Sequence, residues 1–521
     1  MQFIVFAAFA IVLSVPDSGP PWHTLRNPLA TWAIMLGQVP MAALVAALYS
    51  RRVLVKLERE PAWLPGAQRL LAQGNAAIRG TLVLGLCASL YMTPVSAIVR
   101  RWPMMDRFFG LDEMVLLLPF LCAIVVSWTI LYPADRAVRR VSLELQLWAS
   151  VPAHPVWSLW SYLNFMLRQN VLIIFMPMLP IVVANDFVNA YSRPIREFTR
   201  IAWADQAVLV IIAGVVFFFA PVLLRYIWHT RPLPGGELRH RLEDLCRRIG
   251  LTYREILVWQ SDGMVVNAAV MGLFRPVRYI LLSDGLIEMM EDEKIEAVFG
   301  HEAGHIKCRH MHYYLLFAIL SMLIVGGLTE LVVRLRPDLI QNSAVFQDYL
   351  QVGAMASVVL IWLFGFGAVS RRFEWQADLF GARSVTPPPE GCRLPCFHHA
   401  TAEIRGPDPQ HPVPTDPVCA TGADTFADAL TRIAVLNGIP LEARSWRHSS
   451  IANRVRLLRS YAHEPVKAAQ LERSVLAIKA LLLIGVLIGL SIGLKLYWPR
   501  TGQHHPPVKP PPAIESPAIR V

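Results

Sequence analysis

Long apolar stretches alternate with short polar segments along the chain. A helix needs about 20 mostly apolar residues to cross the hydrocarbon core of a bilayer. Stretches of this kind lie at 29–50, 79–99, 113–132, 168–186, 205–227, 312–332, 350–370 and 475–497. The opening stretch, MQFIVFAAFAIVLSV, is shorter, but it lacks the positive start and small-residue cleavage site of a signal peptide, so we expect one more span. The pattern predicts a mainly α-helical, polytopic membrane protein.

The pattern changes after residue 227 and again after residue 370. LRHRLEDLCRRIGL and EDEKIEAVFGHEAGHIKCRH have helical spacing of apolar residues, whereas REILVWQS and VRYILLSD are rich in strand-forming residues. The predicted organisation is an N-terminal membrane region of about six spans (1–227), the first part of a polar domain (228–311), two spans (312–370), the second part of that domain (371–474), a last span (475–497) and a disordered Pro-rich tail (498–521).

Composition and charge agree with this organisation. The chain is 55% hydrophobic and only 17% charged, with a net charge of +11. Lys and Arg cluster in loops 51–78 and 133–167, which the positive-inside rule places in the cytosol together with 228–311 and 371–474. Loops 100–112 and 187–204 hold three Arg each and fit less well. We expect a multi-pass protein of a bacterial-type inner (cell) membrane whose polar domain faces the cytosol; no aromatic-interleaved basic patch indicates a nucleic-acid partner.

One of the predicted helices carries a pattern typical of a metal site. His301 and His305 are four residues apart, so on a helix their rings project from one face and can share an ion. Glu302 lies beside them, where it can accept a proton from an attacking water. The pair suits Zn²⁺, because imidazole and carboxylate are good zinc ligands. Gly304 weakens the helix but would let another segment pack closely against it.

A catalytic zinc needs a third protein ligand, and Glu374 in RRFEWQAD is the candidate. Asp378 follows four residues later on the same helical face, where it can accept a hydrogen bond from the second ring nitrogen of a ligand histidine. The alternative is that Glu374 and Asp378 pair with Arg371 and Arg372 on a solvated face.

Five blocks of sequence in this order resemble the HtpX-like and CAAX prenyl endopeptidase family of integral membrane zinc proteases. They are NAAVMG at 267–272, LLSDGLIE at 281–288, EAVFGHEAGH at 296–305, SRRFEWQAD at 370–378 and RHSSIANRVRLL at 447–458. The resemblance covers about 237–381 and 426–462. It implies a zincin-like α+β metallopeptidase domain, one Zn²⁺ per chain bound by His301, His305 and Glu374, and Glu302 as the general base.

The resemblance also implies roles for four more residues. Asn267 and Ala268 would bind substrate backbone by strand addition; the alternative is a plain buried strand with Asn267 in a turn. His448 and Arg454 would stabilise the oxyanion of the tetrahedral intermediate. This chain lacks the Pro that usually follows the histidine, and a serine cap at the start of a helix is the alternative explanation of that segment.

The remaining histidines and the cysteines have simpler interpretations. We expect His310 and His312 to form a polar collar at the mouth of a span rather than to bind metal. Residues of about 382–424, rich in Pro and Gly, are predicted to be an inserted loop. Its cysteines and histidines match no standard zinc module, so a flexible loop with free thiols is favoured over a second structural metal; they are Cys392, Cys396, His398, His399, His411 and Cys419.

These features favour a membrane-embedded zinc endopeptidase that cleaves membrane or membrane-associated proteins, with a role in protein quality control as one hypothesis. Two alternatives remain. MGLFRPVRYILLSDGL is also similar to the metalloprotease domain of β-lactam sensor proteins, which cleave a cytosolic repressor, although the short tail cannot be a sensor domain. A scaffold with a decayed site is the non-enzymatic alternative. The substrate, its prenylation and the oligomeric state stay open.

Overall fold

A computed structural model of the chain describes residues 2–15, 27–60, 63–105, 108–148, 156–201, 204–263, 265–338, 343–392, 396, 398–399, 417–443 and 447–497. The predicted tail at 498–521 and His411 lie outside the described residues. Within the described part the chain is mainly helical, with one small sheet. The prediction of a polytopic helical protein with an α+β domain is confirmed.

The N-terminal region is a bundle of nine helices among the described residues. They are α1 (Gln2–Ser14), α2 (Pro28–Arg59), α3 (Leu64–Met92), α4 (Val95–Arg100), α5 (Leu111–Trp148), α6 (Leu159–Leu167), α7 (Ile173–Ala190), α8 (Ser192–Thr199) and α9 (Ala204–Ile227). A π-helical stretch, Arg168–Leu172, joins α6 and α7 into one long helix. Large side chains such as Leu86, Phe120 and Trp128 are fully buried between these helices.

Eight helical segments of the described chain are long and apolar enough to cross a membrane. They are Pro28–Arg59, Leu64–Met92, Leu111–Glu144, Leu159–Ala190, Ala204–Ile227, His310–Leu335, Tyr349–Ser384 and Pro465–Lys495. Each contains one of the eight long apolar stretches or most of it. The opening stretch departs from expectation: α1 has 13 residues and a length of about 20 Å, whereas the hydrocarbon core is about 30 Å thick. The first 227 residues thus provide five helices of spanning length and one short apolar helix.

The polar domain combines a four-stranded sheet with helices from both of its parts. Its first part contains β1 (Thr230–Pro232), α10 (Glu237–Arg248), β2 (Glu255–Trp259), β3 (Ala268–Met271), β4 (Tyr279–Ser283), α11 (Asp284–Met289) and α12 (Asp292–Lys307). The strand order is β1-β2-β4-β3; β2 and β4 are parallel, and the other two pairs are antiparallel. Strand β3 is therefore an edge of the sheet.

The rest of the chain adds two membrane hairpin helices and the second part of the domain. Its helices are α13 (His310–Leu335), α14 (Ala344–Leu360), α15 (Gly367–Ser384), α16 (Ala420–Leu436), α17 (Ile451–His463) and α18 (Pro465–Tyr497), with a π-helical stretch, Ile361–Phe366, between α14 and α15. The predicted insert is shorter than expected, because α15 runs to Ser384 and α16 begins at Ala420. One hydrophobic core contains buried residues of both parts, including Phe299, Phe373, Phe426 and Leu458.

Candidate metal centre

Helix α12 places the two histidines side by side. The Nε2 atoms of His301 and His305 lie 3.3 Å apart, as expected for two residues four positions apart on one helical face. His301 is only 6% exposed. Acidic residues occupy the first turn of the helix and basic ones the last turn, an arrangement that the helix dipole stabilises.

Small residues let α15 pack closely against this helix. A β-carbon added to Gly304 would lie 3.0 Å from Cβ of Phe380 and 3.2 Å from Cα of Ala377. On the facing helix, a β-carbon on Gly381 would lie 3.0 Å from the backbone nitrogen of His301. The expectation that Gly304 permits the close approach of another segment is therefore confirmed, and this approach carries the third candidate ligand to the histidines.

The carboxylate of Glu374 lies beside both imidazoles. Its Oε2 atom is 3.7 Å from His301 Nε2, and its Oε1 atom is 3.7 Å from His305 Nε2. Nitrogen and oxygen ligands at about 2.0–2.1 Å from a tetrahedral zinc lie about 3.3 Å from one another. The three side chains thus fit a zinc ion by type and spacing, and a set of three leaves one tetrahedral position for water or substrate.

A second carboxylate orients His301. Oδ1 of Asp378 lies 2.9 Å from His301 Nδ1, so the ring nitrogen that faces away from the candidate metal position can donate its proton to Asp378. Glu374 is 4% exposed and Asp378 is 2% exposed. The alternative of a solvated face, on which both acids pair with Arg371 and Arg372, is wrong.

Arg454 occupies a different position from the one expected. Its Nε and Nη2 atoms donate to the two oxygens of Asp378 at 2.9 and 2.5 Å, and its Nη2 is 3.9 Å from Glu374 Oε2. The side chain is 10% exposed. Because the guanidinium is committed to Asp378, we assign it to positioning the carboxylate that orients His301, and no longer to direct stabilisation of an oxyanion.

His448 reaches the centre from the loop before α17. Its Nδ1 atom lies 2.9 Å from Glu374 Oε1, and the side chain is 43% exposed. It therefore borders both solvent and the third candidate ligand, a position compatible with contact to substrate. Ser450 accepts a hydrogen bond from the backbone N–H of Asn453 and caps α17, so capping and proximity to the centre coexist in this segment.

A residue that the sequence pattern assigned to a polar collar belongs to the centre. His310 is 0% exposed and stacks on Phe373, with ring centroids 4.4 Å apart. Its Nδ1 lies 3.0 Å from His305 Nδ1, and its Nε2 lies 2.9 Å from Gln376 Oε1. Since an amide oxygen only accepts, Nε2 of His310 donates, and its Nδ1 accepts the proton of His305 Nδ1. This chain leaves Nε2 of His305 unprotonated for a metal.

His310 thus resembles the supporting partners that metal-binding histidines generally have, and the prediction of a collar is wrong for it. His312 differs: its ring is half-buried and packs edge-on against Phe274. The sequence spacing gave no signal for His310, because on a continuous helix a residue five positions after His305 points away from it.

The ionisation of the centre follows from burial and charge. Burial lowers the pKa of His305 to about 4, so this ring is neutral at pH 7. Burial also acts to lower the pKa of His301, but the neighbouring Asp378 outweighs it and raises that pKa above its usual value. Burial raises the pKa of Glu302 to about 7, a value suited to taking up and releasing a proton near neutral pH.

The edge strand β3 lies next to this helix and presents half of its backbone groups outward. Ser283 N–H donates to the carbonyl of Asn267 at 3.0 Å, and Asn267 N–H donates to Ser283 Oγ at 3.0 Å. Residues of an antiparallel strand alternate in direction, so Ala268 and Val270 direct their N–H and C=O groups away from β4. Of the two residues predicted to bind substrate, Ala268 is buried and directs its backbone groups to the side of β3 that no described strand pairs with, whereas the backbone groups of Asn267 are occupied.

Comparison with known proteins identifies this domain. Residues 232–389 match the model of peptidase family M48. The chain contains an M48-type peptidase domain. The resemblance to HtpX-like and CAAX prenyl endopeptidases is thereby confirmed, and a domain of this type implies a bound metal. With the eight long apolar helices of its described part, the chain is a multi-pass integral membrane protein.

Relatives share the M48 domain with moderate identity. A CAAX prenyl protease 1 homolog of Arabidopsis thaliana is 29% identical over 239 residues, 43% of this chain and 54% of the relative. A protease HtpX of Xanthomonas oryzae pv. oryzae is 30% identical over 168 residues, 30% of this chain and 54% of the relative. The chain spans about half the length of these relatives. The crystal structure of S. mikatae Ste24p aligns over 83% of this chain and 99% of its own, at 15% identity and a TM-score of 0.46.

Proposed function

We propose that this M48 protein is a zinc-dependent endopeptidase that hydrolyses peptide bonds of membrane or membrane-associated proteins. The observation that carries the proposal is the convergence of His301, His305 and Glu374, from two helices, with Glu302 adjacent on the same helix. We assign one catalytic Zn²⁺ to these three ligands. When bound there, zinc supplies a Lewis acid that polarises a peptide carbonyl and acidifies water.

Individual side chains supply proton transfer, oxyanion stabilisation and orientation of the ligands. Glu302 takes a proton from the attacking water and delivers it to the leaving amine, which its pKa of about 7 permits. His448, half in solvent beside Glu374, donates a hydrogen bond to the oxygen that becomes negative. Asp378 and Arg454 fix the ring of His301, and His310 fixes the ring of His305.

Substrate orientation comes from the edge of the sheet. The outward N–H and C=O groups of Ala268 pair with an extended substrate, which aligns its backbone along β3 beside α12. Main-chain pairing gives affinity with little side-chain preference, and this supports a peptidase that accepts many sequences. Asn267 is exposed and contributes its side chain only.

The decisive experiment separates catalysis from metal binding. Glu302→Gln removes the base but none of the ligands, so we expect peptide cleavage by the detergent-purified protein to fall by about 10²–10⁴-fold with bound zinc unchanged. Glu293→Gln is the matched control, because it makes the same change at an exposed position in the first turn of the same helix. Full activity of Glu302→Gln would contradict the role of Glu302 as the base. Wild-type protein without zinc and without activity would contradict the whole proposal and favour a decayed scaffold.

We further propose that the metal centre faces the cytosol of a bacterial-type inner membrane. Trp259 in the M48 domain stacks on Phe165, 6.2 Å away, at the start of the span that follows loop 133–167. A β-carbon on Gly438 would lie 3.1 Å from Nε2 of Gln68, in loop 51–78. The Lys- and Arg-rich loops therefore lie on the same side as the centre, and positive loops are retained in the cytosol.

Orientation can be tested with membrane-impermeant thiol labelling of intact and permeabilised cells. A cysteine in place of Arg247, exposed on α10, should be labelled only after permeabilisation. A cysteine in place of Arg101, exposed between α4 and α5, should be labelled in intact cells. The reverse pattern would overturn the assignment.

Proteomics can distinguish between the possible classes of substrate. If the protein serves general quality control, membranes from cells with Glu302→Gln should accumulate many different membrane proteins relative to wild type. A single stabilised precursor would instead favour processing of one substrate, prenylated or not, and a single stabilised cytosolic repressor would favour the sensor-type alternative.

A further inference from the structure

The insert between α15 and α16 brings three cysteines and a histidine into one cluster. Sγ of Cys392 lies 3.6 Å from Sγ of Cys396 and 3.7 Å from Sγ of Cys419. Nδ1 of His399 lies 3.2 Å from Cys396 Sγ and 4.0 Å from Cys419 Sγ. All four ligand atoms lie within 4.8 Å of one another, although the residues come from two chain segments that are far apart in sequence.

These distances fit a tetrahedral zinc site and not a disulfide. With Zn–S bonds of about 2.3 Å and a Zn–N bond of about 2.0–2.1 Å, neighbouring sulfurs lie about 3.8 Å apart and a sulfur and a nitrogen about 3.5 Å apart. A disulfide requires two sulfurs at about 2.05 Å, and none of the seven cysteines forms one. Three thiols and an imidazole are one of the common ligand sets of structural zinc.

The surroundings of the cluster orient the imidazole and the last thiol. Nε2 of His399 lies 3.2 Å from the carbonyl oxygen of Pro387, so Nε2 carries the proton and Nδ1 presents its lone pair to the sulfurs. A carbonyl on the far ring nitrogen is the partner that metal-binding histidines usually have. Cys419 is the N-cap of α16; burial raises the pKa of its thiol to about 11, so metal binding there requires release of the thiol proton.

We propose that Cys392, Cys396, His399 and Cys419 bind a second zinc ion whose role is structural. The four protein ligands complete a tetrahedron, so no position remains for water or substrate, and this distinguishes the site from a catalytic one. The sequence pattern favoured a flexible loop with free thiols; the cluster formed by its described residues replaces that interpretation.

The second ion would connect the end of one helix of the catalytic centre with the start of another. Helix α15 carries Glu374, and the cluster begins soon after it ends. At the start of α16, a β-carbon on Gly422 would lie 2.6 Å from the carbonyl oxygen of Ala382, so the two helices touch there. Further along α16, the ring of Phe426 stacks on His301, with centroids 5.7 Å apart. The structural zinc would therefore support the packing behind a catalytic ligand.

The test is the zinc content per chain of the full-length protein, purified in detergent under reducing conditions. Wild type should contain two zinc ions, Cys392→Ser one, and the double variant His301→Ala with His305→Ala also one. Cys122→Ser, at an exposed thiol in a membrane helix, is the matched control and should retain two. One zinc in wild type with an unchanged content in Cys392→Ser would overturn the proposal.

A measurement on the unmodified protein covers the case in which the variants fail to fold. A thiol-directed mercurial should release one of the two zinc ions, seen with a metallochromic dye, while a chelator releases the other. Release of no zinc by the mercurial, or a disulfide between any two of Cys392, Cys396 and Cys419 in peptide mass spectra of freshly reduced protein, would refute the inference. A one-ion loss in Cys392→Ser that persists in the Glu302→Gln background would support it whatever the outcome for catalysis.

Discussion

Substitution of His310 by phenylalanine tests the positioning of the catalytic ligands most directly. An aromatic ring that can stack on Phe373 is retained, although phenyl is somewhat larger than imidazole, and both ring nitrogens are lost. Nδ1–H of His305 then loses its acceptor, 3.0 Å away, and Gln376 loses the donor at 2.9 Å. The change removes hydrogen bonds and adds a little volume at a buried position, so a defect is attributed to the orientation of His305 only in protein that is folded.

The expected magnitude follows from these contacts. A buried donor left without a partner costs about 1–3 kcal/mol, and removing the outer hydrogen-bond partner of a metal-binding histidine weakens metal affinity or activity about 10–100-fold. The second range corresponds to about 1.4–2.8 kcal/mol, so the two estimates agree. We expect zinc affinity of His310→Phe to fall by that factor, with activity falling in parallel at limiting zinc.

The assay is competition of the purified protein with a zinc chelator at graded concentration, with peptide cleavage as the readout of the centre. His310→Gln should recover part of the affinity, because its amide oxygen can accept from His305. His312→Phe, two residues along with a half-buried ring outside the cluster, should behave as wild type. If folded His310→Phe has a zinc affinity within about twofold of wild type, the proposed orientation of His305 is incorrect.

Three further perturbations test other parts of the centre. Gly304→Val should separate α12 from α15, lower the free energy of unfolding by about 1–3 kcal/mol and weaken zinc binding. Gly327→Val, with open space around its β-carbon, should change neither property; thermal unfolding and zinc content are the measurements. Arg454→Gln leaves the buried carboxylate of Asp378 without its ion-pair partner and should destabilise the protein by about 3–5 kcal/mol. Arg459→Gln, at a half-exposed ion pair, should cost at most about 1 kcal/mol. Equal losses of stability would count against the assigned role of Arg454. Peptides N-methylated at the residue that pairs with Ala268 should show a KM raised about fivefold for the lost hydrogen bond, and an N-methyl scan without any sensitive position would argue against strand addition.

Features that depend on local periodicity could be predicted from the sequence. The eight spans follow from runs of apolar residues, and the helix of the HExxH motif follows from four-residue spacing and from acids in its first turn. The approach of α15 could be anticipated in part, because Gly304 leaves room for a neighbour. The helix that packs beside Gly304 carries Glu374, about 70 residues later in the chain. Periodicity carries no information about such distant contacts, so the choice of Glu374 as the third ligand came from the resemblance to a family.

The two pairings around Asp378 show the limit of local reasoning. Spacing placed Asp378 and Glu374 on one helical face but was equally compatible with a solvated surface next to Arg371 and Arg372. The contact of Asp378 with Arg454 on α17, 76 residues later in the chain, distinguishes the two possibilities. A buried guanidinium makes the burial of both carboxylates tolerable. The cysteine cluster could not be predicted from the sequence for the same reason. Cys419 is 27 residues from Cys392, and the two come together only because α16 packs against the end of α15.

His310 was missed for a different, local reason. On an uninterrupted helix a residue five positions after His305 points about 140° away from it, at 100° per residue, so a supporting role was not expected. The backbone instead turns at Arg309, which adopts a left-handed conformation with φ of 58°, after α12 has ended at Lys307 and before α13 begins at His310. This turn directs His310 back onto His305 at the mouth of the span. Non-glycine residues rarely adopt such a conformation, and nothing in KCRHMH indicates that Arg309 would. The metal centre therefore depends on one backbone conformation between a polar helix and a membrane helix. Arg309→Gly favours that conformation and should preserve zinc binding. Arg309→Val disfavours it and should weaken zinc binding as much as His310→Phe does.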